Sequence, residues 1–258
     1  MDIDLSQWPR VIFKRNPLKA VVLQVRFPPL LVLSQPVGVA PFQEAIRDTY
    51  PRAEAPAQQV TLSIGPTGPM PPTGQLGPWR FLDDQGWVVG LATDYVSLET
   101  TSYTRFEEFE RRAKRVLDAT HDVLRLPEHG RVGLRYINEI THPDAVTVAD
   151  WRGLLKPELL GMSGGELLGS RVTQALQQID VRLDDGVLTV RHGFTALPDG
   201  PSPYAIDLDA HDDETRPFDV DEILERVRSF RAWEGGFFRY SLGAKLYEFL
   251  EPEDPVDA

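Results

Sequence analysis

Two short turns, Asp83-Asp84-Gln85-Gly86 and Asp184-Asp185-Gly186, constrain the fold more than any other part of the chain. Each sits between an arginine-led run of strand formers and a second such run, with more strand and then a long amphipathic stretch following. Glycine supplies the positive φ of a tight hairpin turn, and aspartate bonds its own backbone there. A short apolar run opens each half, over 20–27 in the first and 132–140 in the second. This order predicts an α+β fold of two related antiparallel halves, each running strand, short helix, three or four strands, long helix. A sheet with one apolar face and a helix with one apolar stripe bury each other, so each long helix is expected across one face of its sheet. The halves fall at 1–130 and 131–250, with 251–258 as a fraying tail that carries no core residues.

In the first half, Val21, Leu23 and Val25 alternate with Val22, Gln24 and Arg26, the period of a strand, which ends at Pro28-Pro29. A short helix is expected over 41–49 and a short strand over 60–64. The glycine- and proline-rich stretch 65–78 reads as a surface loop. Strands at 79–82, 87–92 and 95–101 lead into a helix over 104–126. Phe106, Phe109, Ala113, Val116, Leu117, Thr120 and Leu124 form its apolar stripe, and Thr104 with Glu107 forms a capping box. In the second half a short helix is expected over 149–155 and a flexible link over 161–169. Strands follow at 172–183, 187–194 and 204–210. The last helical region, 220–249, takes Asp219 as its N-cap and is expected to break at Gly235-Gly236. The segment 1–15 reads as an approach that packs Trp8, Ile12 and Phe13 on the domain.

The 258 residues, 41% of them hydrophobic, suffice for a large core and exclude wholesale disorder. There is no cysteine, which removes disulfides, thiolate nucleophiles and sulfur-ligated zinc. No apolar run approaches the ~20 residues of a membrane span, and no basic start precedes an apolar leader, so a cytoplasmic bacterial protein without a membrane partner is expected. A net charge of −12 opposes counterion release from nucleic acid, so nucleic acid is disfavoured as a partner. Arg111, Arg112, Lys114 and Arg115 cluster on one helix, but Glu107, Glu108 and Glu110 beside them make a solvated, paired face the simpler reading.

The string Arg131-Val132-Gly133-Leu134-Arg135-Tyr136-Ile137-Asn138-Glu139-Ile140 carries a resemblance. So do Asn16-Pro17-Leu18 before the strand ending Arg26-Phe27, the Trp79-x-Phe81 hairpin, and Ser97-Leu98-Glu99-Thr100 with Tyr103, Phe106 and Phe109. Together with Ile206-Asp207-Leu208-Asp209, they make the chain similar to a sporadically distributed bacterial family of uncharacterised proteins of about this length. The Leu134-to-Asn138 string is the most specific part. The resemblance implies a self-contained protein and supplies no activity or catalytic residues. Patchy distribution is associated with mobile or defence-related gene islands.

Asp207, Asp209 and His211 are the metal candidates, because a strand points all three to one face and two carboxylates with an imidazole suit a divalent ion. The plainer reading makes them a polar face balanced by Arg182 and Arg191 on neighbouring strands. Arg135 and Glu139 share one face of their strand and Tyr136 and Asn138 the other. They read either as a structural staple or as a binding site in which Arg135 grips an anion or a partner carboxylate. Trp233, Phe237 and Phe238 flank the paired glycines, where a partly exposed aromatic patch would suit a partner. Helically spaced His pairs and a phosphate-binding Gly-rich loop with its lysine are missing from the sequence, and Met162-Ser163-Gly164-Gly165 reads as a linker. The leading expectation is a non-catalytic binding or regulatory protein, with another protein as partner, no resident cofactor, and an accessory place in a defence or toxin-neutralising system. Two alternatives are a metal-dependent hydrolase or nuclease on Asp207, Asp209 and His211, and nucleic-acid binding on a saddle-shaped sheet bearing Arg26, Arg80, Arg135 and Arg182.

Overall fold

Alternation decides the strands and a wide apolar stripe decides the long helices. The computed structural model describes residues 5, 8, 11–61, 64–65, 68–69, 73–197 and 199–253, with 58–76 described by backbone alone. In chain order the elements are β1 (Leu18–Arg26), α1 (Pro36–Ile46), β2 (Arg52–Glu54), β3 (Gln58–Thr61), β4 (Ile64–Gly65), β5 (Gly68–Pro69) and β6 (Thr73–Leu76). Then come β7 (Trp79–Leu82), β8 (Trp87–Leu91), β9 (Tyr95–Thr100), α2 (Phe106–Leu124), β10 (Glu128–His129) and β11 (Val132–Ile140). The remainder are α3 (Pro157–Leu160), β12 (Gln174–Leu183), β13 (Gly186–Thr195), β14 (Tyr204–Asp212), β15 (Arg216–Pro217), α4 (Val220–Ser241) and α5 (Ala244–Phe249). The fold is α+β.

The chain divides into two compact units that do not follow the 130/131 cut. An amino unit holds Val22–Val132 and Glu214–Leu224; a carboxy unit holds Met1–Val21, Gly133–Asp213 and Glu225–Ala258. In the amino unit the strand order after β1 is β9-β8-β7-β2, and β7-β8-β9 form an antiparallel meander. In the carboxy unit β12-β13-β14 form an antiparallel meander whose last strand neighbours β11. In each unit the last strand of the meander therefore lies beside the strand that opened the half.

The core of the amino unit is the stripe read from the sequence: Phe106, Phe109, Ala113, Val116, Leu117 and Thr120 of α2 are all buried, as are Val89, Leu91, Val96 and Leu98 of the meander. The Asp83 turn is tied into this core. The Asp83 carboxylate accepts from the amides of Gln85 (2.8 Å) and Trp87 (2.9 Å) and from Arg112 Nη1 (2.8 Å). Arg112 is buried on α2, with its guanidinium 4.5 Å above the Trp87 ring. Asp83 of the turn is thus balanced by a helix arginine, while its neighbour Asp84 pairs with Arg52 of β2 at 2.9 Å. The neighbouring cations also find other acids: Lys114 pairs with Asp118 and Asp221, and Arg115 with Asp48.

Several local expectations are corrected. Helix α1 starts at Pro36, which suits a first turn, and carries Pro41 inside it. The 104/107 capping box does not form: Arg105 is the N-cap with no side-chain bond, and the Thr104 hydroxyl faces Glu108 instead. A capping box forms at Thr147 and Asp150, opening a 3-10 turn over Val148–Trp151 where a longer helix was expected. The stretch 65–78 holds β6, which pairs with β3. Asp219 does cap α4, accepting from the amides of Asp221 and Glu222. Helix α4 runs unbroken through Gly235-Gly236. Residues 251–253 are held rather than frayed, since Lys14 donates to the Glu251 carbonyl and Glu253 to the Ile12 carbonyl; the rest of the expected tail lies outside the described residues.

Candidate functional site

The register of the carboxy-unit meander sorts its side chains into two faces. Val190 stands opposite Ile179 and Leu208, so Leu188, Val190, His192 and Phe194 of β13 turn to the core with Ile206, Leu208 and Ala210 of β14. The other face carries Arg191 opposite both Gln178 and Asp207, and Thr189 opposite both Asp180 and Asp209. Asp207, Asp209 and His211 therefore share a face, as the period of two requires.

Those three side chains belong to a charge ladder. Arg135 grips Asp207 through Nε and Nη2, both at 2.7 Å, in the two-pronged geometry a carboxylate favours. Arg191 stands 3.6 Å from both Asp207 and Asp209 and donates to Gln178 at 3.2 Å. His211 lies 3.7 Å from Asp213 and 4.0 Å from Asp209. The Asp207 carboxylate beside it holds the Arg135 guanidinium even further above its ordinary value. Among the described residues no group of three or more His, Asp or Glu side chains is arranged to hold a metal. Both Asp207 oxygens already accept from Arg135, so this carboxylate serves strand cohesion. Arg191 supplies the predicted counter-charge; Arg182 makes no ion pair with these aspartates.

The Arg135 group divides as its strand periodicity requires. Asn138 is buried and donates to the Ile206 carbonyl at 3.1 Å, bridging β11 to β14. Tyr136 is half-buried, and exposed Glu139 stands 3.5 Å from Lys19, not beside Arg135. Arg135 thus meets a carboxylate of its own unit. Of the aromatic trio, Trp233 packs on Phe230 at 5.4 Å, Phe237 on Tyr240 at 6.1 Å and Phe238 edge-on to Phe13 at 6.2 Å. All three are half-buried, and an unbroken helix, not a hinge, displays them.

The least expected surface is β12. This ten-residue strand ends the strand order and, among the described residues, pairs with β13 alone. The Ala196 amide donates to the Thr173 carbonyl at 2.9 Å, one step beyond the Gln174–Thr195 pair. Antiparallel pairing alternates bonded and open positions, so odd-numbered residues of β12 bond to β13. Gln174, Leu176, Gln178, Asp180 and Arg182 direct their amides and carbonyls outward along the edge. Leu176 is 68% exposed on the charged face and Ile179 47% exposed on the core face. Gly193 lies under Leu176: a Cβ there would stand 2.3 Å from the Ala175 carbonyl oxygen and 2.6 Å from a Leu176 methyl, so only glycine lets the strands approach. Met162, Leu167 and Leu168, in the segment between α3 and β12, add further exposed apolar side chains in the same unit.

Sequence reasoning missed this edge because alternation identifies a strand without saying whether a neighbour lies on both sides. The available signal was composition: 174–183 carries three glutamines and no buried run on either face. Comparison with protein-family models, curated proteins and solved structures gave no match.

Proposed function

We propose that this is a non-catalytic binding protein whose partner is another protein, taken up as an added strand along β12. The observation that carries this is the ten-residue β12 edge, whose outward backbone groups meet no backbone partner among the described residues, with Leu176 and Ile179 exposed on its two faces. Edge strands are ordinarily blunted by shortness, Lys, Pro or a bulge, because an open row of donors and acceptors templates pairing. The strand that ends the order in the amino unit obeys that rule, being three residues long and followed within two residues by Pro56. β12 is long, unbulged and free of Lys and Pro, and the charges it carries are Asp180, which accepts from the Thr189 hydroxyl, and Arg182. An extended partner segment would gain main-chain hydrogen bonds along the edge, and alternate side chains would meet Leu176 on one face and Ile179 on the other. The occupied Asp207 carboxylate supports a binding role over a metal-dependent hydrolase. An accessory role in a defence or toxin-neutralising system rests on the family resemblance alone.

Gln178→Pro tests the reading, since residue 178 directs its amide outward and proline there leaves the β13 ladder intact. The tagged protein, recovered from cells carrying its native neighbouring genes, should bring down a stoichiometric partner that the variant loses. Hydrogen exchange at the Leu176, Gln178 and Asp180 amides should slow in the wild-type complex. Undiminished recovery by Gln178→Pro, or no stoichiometric partner for the wild type, would overturn the proposal.

A further inference from the structure

A cavity of about 330 Å³ opens in the carboxy unit where α4 ends and α5 begins. Trp8, Tyr240 and Tyr247 give it aromatic walls, Lys156 and Arg239 supply two cations, and Glu248 stands on its lining. The cations lie on the rings. The Arg239 guanidinium carbon is 3.7 Å from the Tyr247 centroid, and Lys156 Nζ is 5.7 Å from that of Tyr240. Trp8 meets Tyr240 edge-on at 5.1 Å, which fixes the angle between two of the walls.

What marks the cavity is its excess of base, two cations to the one carboxylate of Glu248. The chain carries net charge −12, and its arginines elsewhere are paired as a rule: Arg15, Arg26, Arg47, Arg52, Arg80 and Arg112 each meet a carboxylate. Among the described residues Lys156 and Arg239 form no ion pair, and Arg239 Nε is buried without a hydrogen-bond partner. A buried donor left unmade costs free energy, and a bound acceptor would recover it. Stacking on tyrosine holds the guanidinium plane in place while its donors stay available. The volume lies at the lower end of the range for small-molecule sites.

We propose that this cavity binds a small planar anion, its ring against Trp8 and Tyr240 and its carboxylate or phosphate on Arg239 and Lys156. Aromatic carboxylates and nucleoside monophosphates share that chemistry. The site stands apart from the β12 edge, and either can fail without the other.

Titration calorimetry of the full chain with 4-hydroxybenzoate, adenosine monophosphate and inorganic phosphate, each to about 1 mM, tests this. At least one planar anion should bind one-to-one, with inorganic phosphate at least about tenfold weaker because it offers nothing to the rings. Which planar anion binds identifies the source of the negative group. Lys156→Gln and Arg239→Gln should each weaken binding about tenfold or more, and Trp8→Phe should remove the accompanying change in tryptophan fluorescence. Lys156 is half-exposed, so its variant reports on binding even if Arg239→Gln impairs folding. Absence of saturable binding by both planar anions, equal binding of inorganic phosphate, or unchanged affinity in Lys156→Gln would overturn the proposal.

Discussion

Glu234 sits on α4 with no exposed surface, its Oε1 accepting from the Ala210 amide at 3.2 Å and its Oε2 without a hydrogen-bond partner among the described residues. Burial pushes its carboxyl well above the ordinary 4.5, and the nearby charges of Asp209 and Asp207 add to the rise against the Ala210 bond. A raised folded value means stability fully present below the ordinary glutamate value and lost as pH climbs from there through the folded value. The slope is at most about 1.4 kcal/mol per pH unit. His192 works from the other side: burial holds its imidazole below 6.5, and its Nδ1 lies 2.8 Å from the Tyr204 hydroxyl. Its contribution is present above pH 6.5 and lost as pH falls. Glu234→Gln keeps the shape and removes the charge, so urea unfolding of the variant should show a smaller loss of stability between pH 5 and pH 8 than the wild type. An equal loss in both proteins would mean that Glu234 does not govern the alkaline limb.

At the scale of elements, the paired glycines of α4 separate two roles that the sequence cannot. A Cβ on Gly235 would meet nothing within 4 Å, whereas one on Gly236 would stand 2.6 Å from the Leu5 carbonyl oxygen and 2.9 Å from the Leu5 Cβ. Gly235→Ala should therefore stabilise the protein by about 0.5–1 kcal/mol through helix propensity alone. Gly236→Ala should destabilise it by about 1–3 kcal/mol, because backbone must shift to admit the methyl group. Chemical denaturation of the two variants checks this, and a gain in both would contradict the close approach at Leu5. The same glycines show what was legible. Periodicity placed the strands, both long helices and the Asp219 cap, because these depend on residues adjacent in sequence. It failed at Gly235-Gly236, where a distant segment makes glycine useful inside a helix. It failed likewise at Asp83, whose partner Arg112 comes from α2, 29 positions away. The face shared by Asp207, Asp209 and His211 was legible from the period of two, but not the arginine that occupies Asp207.

At the scale of the whole molecule, the cavity was hidden because chain segments far apart in sequence make it, and the β12 edge because alternation does not say whether a strand has a neighbour on both sides. In both units the last strand of the meander lies beside the strand that opens the half, yet the chain does not assign each half to one unit. The start of the chain belongs with its end. Phe13 is buried against Phe238 at 6.2 Å and Tyr247 at 5.7 Å, Leu5 covers Gly236, and Phe13 bridges to Pro252. Backbone bonds from Lys14, Arg15 and Glu139 to Glu251, Leu250 and Pro17 tie the same segment down. A fragment of residues 131–258 lacks all of this and exposes the apolar surface that Phe13 and Leu5 cover. At about 1.5–3 kcal/mol for each large side chain left unburied, that loss is a large part of a typical domain's net stability. The fragment should give a poorly dispersed amide spectrum and no cooperative thermal transition, and co-expression with residues 1–130 should restore both. A cooperative melt from 131–258 alone would show instead that the second half is complete without the amino-terminal segment.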